Sequence, residues 1–405
     1  LIYRYEGSSR FGKNQRFAPF WSVGGGWNIH NEKFMKGSQV SLLKLRASVG
    51  YLGNINFNPY QALTTYSYNS SYFYGKGTGA TPITIGNPDL KWERTLSTNI
   101  GVDFTAFRGR VDLSADYYIK NTDNLLLDIT KAPSVGVTTS RENIGEVQNS
   151  GFELRLRTFP IQNKDWQWSL GLTYAYNKNK IKKISNSLRE QNEKNKADNG
   201  VAPLPIYEEG QSLTALKVVP SAGIDPVTGQ EIFIKRDGTY TFVYDSNDKV
   251  IFGDTNPIGT GSINSYLTYK RFALSCSFLY SFGGSLYNET LATKVEGANP
   301  KYNADERVLN DRWKTPGTIA KYKRIDDTTT PYQTSRFVEK NNFLRMSSLS
   351  LSYEVPTTFI QKYGLKRMFL ELLTNDLFYL STAKRERGLN YPYDRSFEFS
   401  VRFSL

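Results

Sequence analysis

Residues 92–121 read WERTLSTNIGVDFTAFRGRVDLSADYYIKN. Every second position of the first half gives Leu96, Thr98, Ile100, Val102, Phe104 and Ala106, with Ser97, Asn99, Gly101, Asp103 and Thr105 between them. The second half sets Val111, Leu113, Ala115, Tyr117 and Ile119 against Asp112, Ser114, Asp116 and Lys120. A period of two marks a strand with one apolar and one polar face, because successive side chains leave the pleat on opposite sides. Arg108, Gly109 and Arg110 form the tight turn between the halves, with glycine supplying the unusual backbone angles. The stretch is therefore a long β-hairpin. Strands of soluble folds average about 5–6 residues, whereas about 9–11 tilted residues cross a bilayer. The arms here reach the second length.

Twelve segments read as strands: 1–8, 18–29, 41–52, 92–107, 109–121, 148–160, 165–178, 261–270, 272–284, 343–355, 366–377 and 395–404. In 165–178 one face carries Trp166, Trp168, Leu170, Leu172, Tyr174 and Tyr176. The final segment puts Phe397, Phe399, Val401, Phe403 and Leu405 together. From 53–91 onward, long connections (53–91, 122–147, 179–260, 285–342, 378–394) alternate with short ones (108, 161–164, 271, 356–365). That parity puts every long loop on one rim, as in outer-membrane barrels with long extracellular loops and short periplasmic turns. A sandwich or propeller has no reason to keep it. The expected fold is all-β: a transmembrane antiparallel barrel. Ile100, Val102, Phe104, Leu113 and Tyr117 should face lipid, and Asp103, Asp112 and Asp116 the lumen.

Composition narrows the function. No window holds 18 consecutive apolar residues, so no transmembrane helix is expected. A hydrophobic content of 39% still suits a barrel, where only alternate strand residues meet lipid. One cysteine, Cys276, and one histidine, His30, leave no disulfide framework, thiolate zinc site or Ser-His-Asp triad. The net charge of +13 is spread along the chain, with dense clusters at 178–183 and 384–387 beside strand ends. Solvated rim charge explains these better than nucleic acid does. No catalytic constellation stands up: Glu208-Glu209 and Asp326-Asp327 are adjacent loop charges. Gly24-Gly25-Gly26 precedes no helix, and reads as a bend or close backbone approach. An enzyme and a cofactor are not expected. Asp245, Asn247 and Asp254 are weak metal candidates, because Lys249 stands where a calcium loop needs its third ligand. Residues 179–199 are polar enough to be mobile.

Aromatic loop residues are the candidate contacts for a substrate or partner. Rings stack on sugar faces or peptide side chains, and tyrosine adds a hydroxyl. The candidates are Tyr66, Tyr68, Tyr72 and Tyr74, then Trp313 and Tyr391. Their competing role is packing or an interfacial girdle.

Five stretches carry a resemblance: YEGSSRFGKNQRFAPF (5–20) with Trp27, LKLRASVGYLGN (43–54), NPDLKWERT (87–95), NIGEVQNSGFE (143–153) and RFVEKNNFLRMSSLSLSYEVP (336–356). Together they resemble the SusC/RagA-like TonB-dependent outer-membrane transporters of Bacteroidetes. The resemblance implies a barrel of about 22 strands with a plugged lumen. Residues 1–405 would be its C-terminal portion, with 179–260 and 285–342 as extracellular insertions. The chain opens on Leu1-Ile2-Tyr3 within a strand, so it reads as a fragment, with plug and early strands before it. The implied function is active import of an oligosaccharide or oligopeptide across the outer membrane. The implied partners are a SusD-like lipoprotein, TonB through the missing part, membrane lipid and lipopolysaccharide. The alternatives are a scaffolding barrel subunit and a soluble β-rich glycan-binding protein.

Overall fold

The computed structural model describes residues 1–55, 59–75, 77–131, 133–299, 301–386 and 395–404. Twelve long-sheet strands follow in chain order: β1 (Ile2–Gly7), β2 (Phe17–Asn28), β3 (Val40–Asn54), β4 (Glu93–Ala106), β5 (Val111–Thr130), β6 (Thr139–Gln162), β7 (Trp166–Ile184), β8 (Gly259–Tyr269), β9 (Phe272–Tyr287), β10 (Val338–Glu354), β11 (Arg367–Asn375) and β12 (Phe397–Ser404). Each pairs antiparallel with the next in one up-and-down sheet, and a short strand, Tyr379–Ser381, pairs with β10 off that path. All twelve sequence segments are present in the expected order. Leu405, expected on the last apolar face, lies outside the described residues.

Register carries the two faces across strand after strand. One row runs Leu43, Phe104, Leu113, Leu156, Leu172, Ile263, Phe278, Met346 from β3 to β10. The adjacent row runs Lys44, Asp103, Ser114, Arg155, Thr173, Ser262, Leu279, Arg345. A slip of one residue in any pair would mix them, so the alternation itself specifies the register. Asp103, Asp112 and Asp116 share the polar face, opposite Ile100, Val102, Phe104, Leu113 and Tyr117. Arg46 donates to Asp103 (2.7 Å) and Asp116 (3.1 Å) there, and Ser114 donates to Asp103 (3.0 Å). On the other face Ile100, Tyr117 and Phe399 stay exposed. Packed apolar clusters form instead at the rim bearing the long connections. Phe11, Phe20, Leu90 and Trp92 make one, and Leu291, Ala292, Val295 and Phe337 another. A third cluster, Ile129, Ile144 and Leu188, joins the upper ends of β5 and β6 to the connection after β7.

The opening hairpin turns through Phe107, Arg108 and Gly109, all at positive φ, and Arg110 N–H donates to Phe107 O (3.3 Å). Two motifs meet at the opposite rim. Asn143 receives the Lys91 N–H (3.0 Å) and donates to Lys91 O (3.2 Å) and Asn124 O (2.9 Å). Trp92 stacks on Phe11 at 4.2 Å and donates to Arg16 O (3.0 Å). Gly145 sits at φ +153°, where a Cβ would lie 2.0 Å from Lys183 O. These stretches lock neighbouring strands together.

Three expectations need correction. The 122–147 connection is mostly strand, since β5 and β6 pair as far as Thr130 with Thr139. Bulges between Thr122 and Leu126 break the alternation, and beyond them Leu125, Leu127 and Ile129 pack with Ile144 and Leu188. Polar cross-strand pairs still hold the ladder, including Gln148 to Asn121 (2.9 Å) and Arg141 with Asp128 (3.1 Å). Residues 179–199 are ordered: β7 continues to Ile184, and Ser185 accepts the Leu188 N–H (3.2 Å) to cap helix α1 (Asn186–Ala197). Gly24 to Gly26 lie in β2, where a Cβ on Gly25 would meet nothing within 4 Å but one on Gly26 would lie 3.0 Å from Lys44 Cε and 3.4 Å from Leu45 O, so close approach holds at Gly26 and not along the whole run. The long connections are also structured. Residues 65–84 form a hairpin, and 215–254 hold strands Ala215–Val218 with Val250–Asp254, and Ser221–Ile224, Glu231–Ile234 and Tyr240–Thr241.

Candidate functional site

The long connections 185–258 and 288–337 are joined by buried charge. Arg336, just before β10, donates to both oxygens of Glu231 (2.7 and 2.6 Å) and both of Glu296 (2.6 and 2.7 Å), and to Lys321 O (2.8 Å). Glu231 and Glu296 are both buried, at 8% and 2% exposure. Burial works against the Arg336 charge, but the bonds to the two carboxylates outweigh it and hold its pKa above the ordinary arginine value. Arg312 donates to the carbonyls of Val295 (2.5 Å) and Lys323 (3.0 Å). Gln333 donates to Asp198, Gly200 O and Ala202 O, and Tyr244 stacks on Tyr332 at 4.2 Å. Lys249 donates to Lys196 O (3.1 Å) and Asp198 O (2.9 Å) at the end of α1, and burial lowers its pKa. The two connections therefore form one packed unit.

Beside it opens a cavity of about 790 Å³, between the 290–307 segment and 384–386. Thr293, Lys294, Asn299, Tyr302 and Lys384 present hydroxyl, amide and cationic groups to it. Arg307 braces one wall, bonding Asp305 (2.9 and 2.7 Å) and Glu386 (2.9 and 2.9 Å). The Arg307 bond holds the Asp305 carboxyl well below the usual carboxylate range. Burial pushes the Glu386 pKa up, but bonds from Arg307 and Asn288 more than offset it. Such a lining offers hydrogen-bond donors and acceptors to a polar ligand. Among the lining residues no nucleophile stands beside a base.

The expected contact residues are scattered. Tyr66, Tyr68 and Tyr72 sit on the 65–84 hairpin with exposed rings, Tyr68 at 78%. Tyr74 ends the same strand. Tyr66, Tyr68 and Tyr72 line neither cavity. Trp313 is half-buried: its indole N–H donates to Pro226 O (2.8 Å), and its ring packs over Gly229 and under the Arg324 guanidinium at 5.8 Å. It walls a second cavity of about 380 Å³ with Arg324 and Asp326. Tyr391 lies outside the described residues. The metal candidates serve local turns. Asp245 accepts the Asn247 N–H (2.8 Å), and Asp254 accepts from Thr214 (2.6 Å) and the Asn256 N–H (2.9 Å). Among the described residues no three His, Cys, Asp or Glu are grouped to hold a metal. Sequence reading missed Arg336, Glu231, Glu296, Arg307 and Glu386. Their partners lie 40 to 105 residues apart for Arg336 and 79 for Arg307, so no local spacing signals them.

Comparison with known proteins agrees with this architecture. The family described as "TonB dependent receptor-like, beta-barrel" matches residues 3–206. TonB-dependent receptor P39 of Formosa agariphila is 27% identical over 93% of this chain and 40% of its own length. TonB-dependent receptor SusC of Bacteroides thetaiotaomicron is 29% identical over 86% of this chain and 35% of its own length. The chain thus spans about two-fifths of the curated relatives it matches. The RagAB peptide importer in its "closed-closed" state superposes with a TM-score of 0.83 at 25% identity, covering 99% of this chain and 45% of that one. With its unbroken antiparallel wall and apolar outer face, the chain belongs to the TonB-dependent receptor β-barrel family of the Gram-negative outer membrane, and is a partial barrel similar to SusC and RagA.

Proposed function

We propose that this chain is the C-terminal part of a transporter wall that imports an oligosaccharide or oligopeptide across the outer membrane. A SusD-like surface lipoprotein caps it, and TonB supplies energy through a part of the protein outside this chain. The observation that carries the reading is the packed loop unit with its polar cavity, set at one rim of a twelve-stranded wall. In this reading that rim is extracellular, with 185–258 and 288–337 as its large insertions, and the short turns at 107–110, 163–165 and 270–271 are periplasmic. Lys294, Asn299, Tyr302 and Lys384 hydrogen-bond the substrate, while the exposed Tyr66, Tyr68 and Tyr72, with Tyr74 on the same strand, meet substrate or lipoprotein. Trp313 and Tyr391 are lesser contacts. The likeness to a peptide importer supports import of an oligomer over a scaffolding role.

The test uses the full-length protein in its native membrane. Affinity purification should recover a surface lipoprotein, and uptake of labelled oligosaccharides or peptides should require both the protein and TonB. Purification without any lipoprotein, together with uptake unchanged on deletion, would refute the reading.

A further inference from the structure

The cavity beside the loop unit has a charge bias that import of an oligomer, taken generally, leaves unused. Leu291–Glu296 is a short helical segment that buries Leu291, Ala292, Val295 and Glu296, the last against Arg336. Thr293 and Lys294 are thereby left on its outer side, where they line the cavity. The Thr293 hydroxyl already donates to Glu289 O (2.8 Å), so the Lys294 ammonium is the donor this segment has to offer. On the other side Ala383 is buried, and Lys384, which follows it, is exposed and lines the cavity. Asn299 Oδ1 accepts the Lys301 N–H (3.0 Å), which leaves its side-chain NH2 group as a donor. Tyr302, 74% exposed, adds a ring and a hydroxyl.

The lining holds four cations, Lys294, Arg307, Lys384 and Arg385, against two carboxylates, Asp305 and Glu386. Both carboxylates are spent on Arg307, whose guanidinium bonds all four of their oxygens. Among the described residues neither Lys294 nor Lys384 makes an ion pair or a side-chain hydrogen bond. A concave site lined by a surplus of one sign of charge concentrates the opposite sign within it. The surplus here is positive, so the site favours an anion. The wholly apolar side chains among the described lining residues are Ala298 and Ala304. That offers little to the mixed side chains of a peptide, and no unspent carboxylate receives its terminal ammonium. An acidic sugar chain brings hydroxyls and ring faces for Asn299 and Tyr302. Its carboxylates are the acceptors with which an ammonium makes its strongest hydrogen bonds.

We propose that this cavity selects an acidic oligosaccharide, whose carboxylates bind Lys294 and Lys384 while a sugar ring stacks on Tyr302. The two lysines are then the residues that set specificity for charge. The inference rests on the reading of the chain as part of an importer of oligomers, and narrows the substrate of the same site.

The test uses full-length protein purified from its native membrane, titrated calorimetrically with three probes: a short galacturonic-acid oligosaccharide, the same oligosaccharide with its carboxyls methyl-esterified, and an oligoglutamate peptide. Wild type should bind the free acid about tenfold or more tighter than the ester at low salt, and the gap should narrow as salt screens the lysines. Lys294→Gln combined with Lys384→Gln should lose that preference, with the heat-modifiable band of the folded barrel retained on gels. A control neutralising Lys13 and Lys235, exposed lysines outside the cavity, should keep it. A wild type indifferent to esterification, or a double variant that keeps the preference, would overturn the proposal. Oligoglutamate bound as tightly as the acid sugar would also overturn it, marking a site for any carboxylate-bearing chain. Uptake separates this failure from failure of the import reading. TonB-dependent uptake that ignores charge would sink the acid selectivity alone, whereas uptake unchanged on deletion of the protein would sink both.

Discussion

Replacing Arg336 by methionine keeps an unbranched side chain over the Phe337 ring, where the guanidinium now lies 4.8 Å from the centroid, but removes the cation between Glu231 and Glu296. Both carboxylates are buried, so water cannot take over the four bonds that Arg336 makes to them. Breaking a buried pair by deleting one partner costs about 3–5 kcal/mol, mostly from the charge left unpaired. The cost should fall on the loop unit, because the wall is held by its own ladder. Opening of the 231–234 and 291–297 segments should therefore become about 10²–10⁴ times more frequent. Hydrogen exchange on the full-length protein reads these segments directly, with β5 and β6 amides as the internal control. Adding Glu231→Gln and Glu296→Gln to Arg336→Met removes the stranded charges and should restore part of the protection. Unchanged exchange in Arg336→Met, or a triple variant as open as the single one, would refute the clamp.

Leu172, flanked in register by Leu156 and Ile263, lies midway along the lipid-facing series from Trp166 to Tyr176. Leu172→Arg should cost about 2–4 kcal/mol, whereas Asn264→Arg on the polar face should stay within about 0.5 kcal/mol. Equal losses in a vesicle-folding assay would overturn the face assignment. Asp305 has a depressed pKa in the folded protein, so its stabilisation of the cavity wall is present above the unfolded value of about 3.9. That stabilisation should be lost only as pH falls below this value toward the folded one. Exchange at 305–308 that rises already between pH 7 and 5 would contradict the Arg307 brace. Alanine at Tyr66, Tyr68 and Tyr72 together should leave barrel folding unchanged and weaken substrate or lipoprotein binding about a hundredfold, on the order of 1 kcal/mol per lost aromatic contact. Unchanged binding in titration calorimetry would leave these rings as surface aromatics only.

Alternation made the wall legible because each wall strand separates two solvents, and every second residue must suit one of them. The same logic explains where reading stopped. Bulges between Thr122 and Leu126 and at Glu146–Val147 shift the phase of the alternation, so the continuation of β5 to Thr130, of β6 from Thr139 and of β7 to Ile184 escaped a simple period of two. Helix α1 hid for a related reason: it buries only Leu188 and Asn192, and the Asn192 amide is bonded to the Tyr207 backbone. The aromatic Tyr66–Tyr74 run was conspicuous, yet the cavity is built elsewhere, from residues that look like ordinary loop charge.

By itself the sequence determined the strand order, the two faces and the rim that carries the long connections, since period-two patterning and loop length are local properties. Only the tertiary structure decided that Arg336 meets Glu231 and Glu296, and that Arg307 meets Glu386. Those contacts join residues distant along the chain, or depend on which neighbours a loop happens to cover. Long-range packing, rather than any motif, selects them.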